Sequence, residues 1–99
     1  MPAYLFADVV EVRDPDLYER YKPLVPPTLA TFGGGYLARS GAVTILEGTW
    51  APSRVVVVRF GSVEQAVRWW ESADYEEPKR LRQLGTVTNM IVVDGVTEK

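Results

Sequence analysis

Residues 54–70, RVVVVRFGSVEQAVRWW, constrain the fold of this chain more than any other segment. The run of valines favours an extended strand, because branching at Cβ restricts χ1 and suits a pleated surface. Apolar side chains on both faces of a strand predict that both faces are covered. Ser62 and Gln65 have the spacing of a helix capping box. The segment therefore predicts a buried central strand, a turn at Gly61 and an amphipathic helix that folds back on the strand.

The core-facing side of this helix is predicted from four residues spaced i, i+3, i+4 and i+7, namely Val63, Ala66, Val67 and Trp70. Trp70 is therefore expected in the core. Trp69 is turned from it by about 100° and is expected at the edge of a cleft or at a dimer contact.

Composition narrows the class of protein. A length of 99 residues predicts one domain over residues 1–99. The net charge is −2 and the chain has no basic tract, which argues against nucleic acid as a partner. The basic residues of Lys79–Arg82 resemble ordinary charge on a helix surface. No apolar run reaches the roughly 20 residues of a spanning helix, and the first residues lack the basic region of a signal peptide. A cytoplasmic protein without a membrane partner is expected.

The absence of histidine and cysteine removes many chemistries. Disulfides, thiolate nucleophiles, histidine triads and the preferred ligands of zinc or haem are excluded. A general acid or base must be Asp, Glu, Lys, Tyr, Arg or water. The sequence therefore predicts chemistry without a metal or a cofactor.

The remaining elements follow from periodicity and breakers. Strands are predicted at residues 4–12, 36–39 and 87–93, and residues 43–46 either continue the second strand or pair with it. A helix is predicted to begin at Asp14-Pro15, to kink at Pro26-Pro27 and to resume over residues 28–32. A short helix is predicted at residues 75–84, with Pro78 near its first turn. The glycines at 33–35 are interpreted as a helix end, because phosphate-binding loops run from strand to helix and this one runs from helix to strand.

The order β-α-β-β-α-β predicts a ferredoxin-like fold of the α+β class, with a four-stranded antiparallel sheet and both helices on one face. Because the strands are apolar on both faces, such a sheet would leave a large apolar surface exposed. The pattern therefore predicts a homodimer that packs sheet against sheet about a two-fold axis.

The sequence also resembles a known family. The resemblance is carried by GGYLARSG at residues 34–41 and LEGTW at residues 46–50, then by residues 54–60, Ser62, Glu64, Ala66, Trp70, Ser72 and Tyr75. These segments are similar to the small bacterial proteins of the domain of unknown function 1330 family, and the likeness runs from Tyr4 to about Val96. The resemblance implies a dimeric α/β barrel, in which two ferredoxin-like domains pair their sheets.

The superfamily of dimeric α/β barrels includes cofactor-free quinone-forming monooxygenases, haem-degrading enzymes, muconolactone isomerases and stress-response proteins. The haem branch is least similar, because its axial histidine has no counterpart here. Since one fold can host many functions, the resemblance leaves the others open.

Asp8 and Arg59 are the leading catalytic candidates. A carboxylate between apolar neighbours can act as a base near neutral pH, and a guanidinium after four valines can anchor an anion or a carbonyl. The alternative is a structural ion pair between Asp8 and Arg59, or an Arg59 head that reaches solvent at the strand end. Tyr75 is the third catalytic candidate, as a donor to a substrate oxygen.

The predicted ligand-binding residues are Arg39, Trp50, Trp70, Tyr21 and Asn89. Arg39 either binds a ligand or pairs with Glu47, and Trp50 is either a lid over a ligand or an anchor at an interface. Arg54 is expected on the surface. For the aromatic residues, packing is the competing explanation.

Two hypotheses follow. In the first, a small-molecule site between sheet and helices is lined by Asp8, Arg39, Arg59, Trp70 and Tyr75, and supports cofactor-independent isomerase or monooxygenase-like chemistry on an aromatic or carbonyl compound. In the second, the protein is a non-catalytic ligand-binding or structural dimer, which assembles through Trp50 and the edge strands.

Overall fold

The structure is a computed structural model that describes residues 1–96. Its strands are β1 (Ala3–Val12), β2 (Gly35–Arg39), β3 (Val55–Phe60) and β4 (Thr86–Asp94); its helices are α1 (Pro15–Tyr21), α2 (Val25–Thr31), α3 (Val63–Glu71) and α4 (Ala73–Gly85). A 3-10 turn joins α1 to α2. The four strands form one antiparallel sheet in the order β2-β3-β1-β4. This arrangement confirms the predicted ferredoxin-like fold.

Strand β3 is central, as predicted, because it pairs with β1 on one side and β2 on the other. Its register against β1 places Phe60 opposite Ala3 and Val55 opposite Asp8. Residues opposite each other in an antiparallel pair project to the same face. This register fixes which side chains of the two strands can act together.

The two faces of the sheet differ in burial. On β1, the alternate residues Ala3, Leu5, Ala7 and Val9 are buried, and they pack with Val58 and Phe60 against the helices. We call this the helix face. The other face, which we call the open face, carries Phe6, Ile91 and Val93 with 39%, 60% and 45% of their surface exposed. Within the described residues, no helix covers these side chains, so the valines of β3 are protected on one face only.

The core side of α3 differs from the prediction. Trp69 is buried at 2% exposure, whereas Trp70 is 38% exposed and Val67 is 40% exposed. Trp69 packs on the Phe60 ring with centroids 5.7 Å apart, and its Nε1 donates to Thr28 Oγ1 at 2.9 Å. Ala66 and Trp69, three residues apart, define the buried face, because the sheet and α2 offer the indole both a ring contact and an acceptor. The prediction that Trp70 lies in the core was therefore wrong.

Polar caps begin three of the helices. Asp14 accepts hydrogen bonds from the backbone at the start of α1, as predicted, and Ser62 accepts from Gln65 N at 3.1 Å at the start of α3. Ser72 Oγ accepts from Tyr75 N at 3.2 Å and caps α4. Because Ser72 supplies this cap, α4 begins before residue 75, and Pro78 lies inside the helix rather than in its first turn.

Residues 43–46 form no strand, so the prediction of a continued or paired strand there was wrong. β2 ends at Arg39, and Ser40 adopts a positive φ of 55° that turns the chain away from the sheet edge. Val43, Ile45 and Leu46 remain exposed, at 40%, 52% and 94%. The β-branched residues Val43, Thr44 and Ile45 predict extended backbone, but a strand also needs a partner strand for its hydrogen bonds, and the described residues provide none.

The glycines at 33–35 end α2, as predicted, and two of them have distinct requirements. Gly33 has a φ of 73°, in the left-handed region that favours glycine at a helix end. A Cβ on Gly34 would lie 2.8 Å from Phe60 Cε1 and 3.1 Å from Leu29 Cδ2, whereas one on Gly35 would have no neighbour within 4 Å. Gly34 therefore allows α2 to approach the aromatic core closely.

Replacement of Gly34 by alanine is expected to destabilise the fold by about 1–3 kcal/mol, because the added methyl group overpacks against the buried Phe60 ring. Gly35→Ala is the matched control, and we expect it to change stability by less than about 0.5 kcal/mol. Urea unfolding followed by tryptophan fluorescence measures both. Equal stability of the two variants would contradict the close approach at Gly34.

Candidate functional site

A cavity of about 230 Å³, which we call the chamber, lies between the helix face of the sheet and the helices. Its aromatic walls are Tyr18, Tyr21, Tyr36 and Trp69, and its basic lining residues are Lys22, Arg39 and Arg82. No Asp or Glu of the described residues lines it. Lys22 forms an ion pair with Glu19, which does not line the chamber, so Arg39 and Arg82 are the basic lining residues without an ion-pair partner among residues 1–96.

Arg82 is the most unusual of these residues. It lies on α4, is only 6% exposed and lines the chamber. Its Nε donates to Tyr75 Oη at 3.3 Å, and no ion pair among residues 1–96 includes it. Because a buried guanidinium remains charged, it is costly without an anionic partner. The structure therefore holds a buried cation whose natural complement is an anion.

Tyr75 connects Arg82 to a second phenol. Tyr75 is completely buried, and the centroids of the Tyr75 and Trp69 rings are 4.0 Å apart. Its hydroxyl oxygen is 2.8 Å from Tyr21 Oη, so one hydroxyl donates to the other. Burial, and then the neighbouring Tyr75, raises the pKa of Tyr21 far above its ordinary value. Tyr21 is therefore a neutral hydrogen-bonding group, and the line Tyr21–Tyr75–Arg82 joins a wall of the chamber to the buried charge.

The mouth of the chamber is formed by Lys22, Arg39 and Ser40. Arg39 donates from Nη2 to the backbone oxygen of Lys22 at 3.1 Å, and its guanidinium lies 4.7 Å from the Tyr36 ring centroid. Burial raises the pKa of Tyr36, although the charge of Arg39 opposes this shift. The predicted alternative pair with Glu47 is absent from the ion pairs of residues 1–96. Arg39 thus lies at an exposed part of the chamber lining.

Asp8, Trp50 and Asn89 occupy a different place, a pocket of about 380 Å³ on the open face. Asp8 and Asn89 are opposite each other on β1 and β4, and Trp50 Nε1 donates to Asp8 Oδ2 at 3.0 Å. The other carboxylate oxygen, Asp8 Oδ1, is buried without a hydrogen-bond partner. These residues are therefore separated from the chamber by the sheet itself.

Arg59 also faces away from the chamber. It lies opposite Tyr4 on β1, four positions along the strand from Asp8, which corresponds to about 13 Å. The alternative interpretation, an ion pair between Asp8 and Arg59, was therefore wrong. Arg59 is exposed at the strand end, which agrees with the alternative that its head reaches solvent, and Arg54 is exposed as expected.

Trp70 lines a third space, an open groove of about 690 Å³ between α3 and β4 that we call the outer groove. Lys79 Nζ lies 3.8 Å from the Trp70 ring centroid and donates to the Trp70 backbone oxygen at 2.9 Å. This contact fixes the half-exposed indole on the groove wall. The predicted single site of Asp8, Arg39, Arg59, Trp70 and Tyr75 is thus divided among the chamber, the open face and the outer groove.

Arg82 was missed because its neighbours suggested surface charge, and that interpretation was wrong for this residue. The sequence did contain a signal: Arg82 is seven residues after Tyr75 and four after Pro78, so the three share one helix face. Its neighbour Arg80 pairs with Glu77 on the exposed face instead. Position around the helix axis, rather than residue type, determines that Arg82 is buried and Arg80 is exposed.

Two features are absent from the described residues. Within residues 1–96, no three His, Cys, Asp or Glu side chains lie close enough to hold a metal ion. No helix in the same range has the length and hydropathy needed to cross a membrane.

Comparison with known families gives one match. The model of the family described as Domain of unknown function (DUF1330) matches residues 2–96. No curated protein matches the sequence.

Several solved structures share the fold. A protein of unknown function from Rhodopseudomonas palustris is 17% identical with a TM-score of 0.77, over 98% of this chain and 84% of that one. A dimeric protein of unknown function with a ferredoxin-like fold from Bacteroides fragilis is 4% identical with a TM-score of 0.63, over 95% and 96% of the two chains. SnoaB, a cofactor-independent oxygenase from Streptomyces nogalater, is 10% identical with a TM-score of 0.56, over 98% and 94%. At these identities the similarity establishes the fold alone.

The raised pKa of Tyr21 predicts a loss of stability at alkaline pH. Below the ordinary pKa of 10.0, the phenol is protonated in both folded and unfolded chains. Above it, the unfolded chain releases a proton that the folded chain retains, so the free energy of unfolding falls by up to about 1.4 kcal/mol per pH unit. Tyr21→Phe should make this slope shallower. It should also lower the free energy of unfolding at pH 7 by about 1 kcal/mol, because the hydrogen bond to Tyr75 is lost. Urea unfolding between pH 8 and 11 measures both effects, and identical slopes would contradict them.

Proposed function

This chain belongs to the DUF1330 family, and we propose that it binds a small anionic aromatic or enolisable carbonyl compound in the chamber. The observation that carries the proposal is the buried, unpaired guanidinium of Arg82 on the chamber wall. An anion of the ligand would supply the counter-charge that the fold itself does not provide within residues 1–96. A charge-assisted hydrogen bond of this kind is stronger than a neutral one.

The residues that line the chamber indicate the uncharged part of the ligand. Tyr18, Tyr36 and Trp69 offer ring faces and edges, and Arg39 adds positive charge at the mouth, where Lys22 is already paired with Glu19. A dry cavity of roughly 150 Å³ accommodates benzene, so about 230 Å³ suits one ring with its substituents. The chamber therefore favours a planar, single-ring anion over an aliphatic or cationic ligand.

The same residues limit the chemistry. An isomerase needs a group that removes and returns a proton, but no carboxylate lines the chamber, and Tyr21 has a raised pKa that disfavours its phenolate. Cofactor-independent oxygenation takes its electrons from the ligand itself, since an enolate or phenolate stabilised by Arg82 is the electron donor to O2. A CH2 group beside the carbonyl loses one proton to water, and the resulting enolate forms a C–O bond with O2. The peroxide takes up a proton, and the O–O bond then breaks as the second C–H proton leaves, so that CH2 and O2 yield C=O and water. The second candidate function is non-catalytic ligand binding, which uses the same residues but involves no reaction with O2.

The open face supports a homodimer. Phe6, Ile91 and Val93 are exposed together there, and exposed apolar patches mark interfaces. A second copy packed sheet against sheet would bury the patch symmetrically. The dimeric state of the Bacteroides fragilis neighbour is consistent with this assembly. Trp50 and Asp8, on the same face, would then lie at the interface rather than in a catalytic site.

Ligand binding can be tested with phenylacetate and its neutral analogue phenylacetamide, followed by calorimetry and by intrinsic tryptophan fluorescence. We expect phenylacetate to bind more tightly, and Arg82→Gln to weaken it by about 10- to 100-fold, which corresponds to about 1.5–3 kcal/mol for a hydrogen bond to a charged group. Arg80→Gln, on the exposed face of the same helix, is the control and should bind like the wild type.

Equal affinity of the Arg82→Gln variant for phenylacetate would overturn the assignment of the chamber. Oxygen uptake with phenylpyruvate, an anionic and enolisable carbonyl compound with a single ring, separates the two candidate functions in the same proteins. Uptake that depends on Arg82 supports oxygenation, whereas binding without uptake supports a ligand-binding protein.

The dimer can be tested with Ile91→Glu. This substitution places a carboxylate at the centre of the apolar patch and should dissociate the dimer to monomers of 11.1 kDa, which analytical ultracentrifugation measures. Leu84→Glu is the matched control, because Leu84 is exposed to a similar extent, 57% against 60%, but lies on α4. A wild-type monomer at micromolar concentration, or equal dissociation of both variants, would contradict the sheet-to-sheet assembly.

A further inference from the structure

The chamber and the outer groove share a wall. Leu5, Arg82 and Met90 line both spaces. Arg82 therefore borders both the aromatic chamber and the open apolar groove. A ligand anchored at Arg82 can extend in two directions from its charged group.

The two spaces differ in size and lining. The chamber holds about 230 Å³, whereas the outer groove holds about 690 Å³. The groove presents Val67 and Trp70, 40% and 38% exposed, beside the half-buried Val87. Its charged lining residues within residues 1–96 are Arg13 and Arg82, and none is acidic. The groove thus suits an apolar chain attached to an anion, and it disfavours a cationic one.

We propose that the ligand is an anion whose charged group lies between an aromatic ring and an apolar chain. The ring occupies the chamber, the carboxylate or enolate oxygen accepts from the Arg82 guanidinium, and the chain lies along the outer groove against Val67 and Trp70. The proposal rests on the proposed ligand site in the chamber, and it adds a second subsite and the order of the three parts of the ligand.

The indole of Trp70 is prepared for this role. The Lys79 ammonium lies over the ring at 3.8 Å from its centroid, and a hydrogen bond to the Trp70 backbone oxygen holds that ammonium in place. A half-exposed ring that is already fixed loses little side-chain freedom when an apolar chain packs on it. Trp70 therefore acts in binding and not as a core residue.

The test uses the 2-phenylalkanoates, from phenylacetate through 2-phenylbutanoate and 2-phenylhexanoate to 2-phenyloctanoate. Their carboxylate lies between the ring and the chain, as the structure requires. Affinity for the full-length protein, measured by calorimetry, should rise about threefold for each added methylene, because each is buried in the groove. The 4-alkylphenylacetates are the isomeric control, since their chain lies on the far side of the ring and should give no such increase.

Val67→Gln tests the location. It should abolish the dependence on chain length and leave the affinity for phenylacetate unchanged. Val43→Gln is the matched control, because Val43 is also 40% exposed but lies outside both spaces, and it should retain the dependence.

Two outcomes would overturn the proposal while leaving the chamber assigned. In the first, phenylacetate binds through Arg82 but longer chains bind no more tightly, or the two isomeric series gain equally. In the second, Val67→Gln lowers self-association instead of ligand affinity, which would mean that a second copy covers the groove. A failure of phenylacetate itself to depend on Arg82 would instead overturn the proposed function.

Discussion

The contact between the Trp69 and Tyr75 rings is the interaction on which the rest of the structure depends. It joins α3 to α4, and the same indole packs on Phe60 of the central strand and donates to Thr28 of α2. Because large aromatic side chains dominate the free energy of a small core, this group holds sheet and helices together. Loss of the Trp69 indole would cost about 3–5 kcal/mol, a large part of the stability of a domain of this size.

The same contact also positions the candidate site. With its ring fixed by Trp69, Tyr75 directs its hydroxyl to Tyr21 and to Arg82. The buried charge is thereby held on the boundary of two cavities rather than released to solvent. Under the proposed function, the residues that form the core would also hold the charged group that a ligand neutralises. The core determines the position of Arg82, and the ligand would provide its counter-charge.

The sheet separates two roles. Side chains that alternate toward the helices build the chamber, and their immediate neighbours along each strand form the apolar open face. Asp8 illustrates the consequence. It is one residue from Ala7 in the chamber wall, yet its carboxylate lies in the pocket of Trp50 and Asn89 on the other side. A change of one position in a strand therefore transfers a residue from the chamber to the open face.

The sequence by itself determined the elements and their order. The valines of β3, the caps at Asp14 and Ser62, and the glycine end of α2 are local signals, and each was confirmed because its cause lies within a few residues of chain. Two elements were only partly foreseen, since Ser72 starts α4 before residue 75 and residues 43–46 have no strand to pair with. The candidate site was decided by tertiary structure. The sequence placed Asp8 and Arg59 in a site between sheet and helices, and periodicity predicted Trp70 rather than Trp69 as the core tryptophan. The packing of α3 against Phe60 and Thr28 buries Trp69, and the orientation of α4 against the sheet buries Arg82. Tertiary structure decided both, because burial depends on contacts between segments that are distant in sequence.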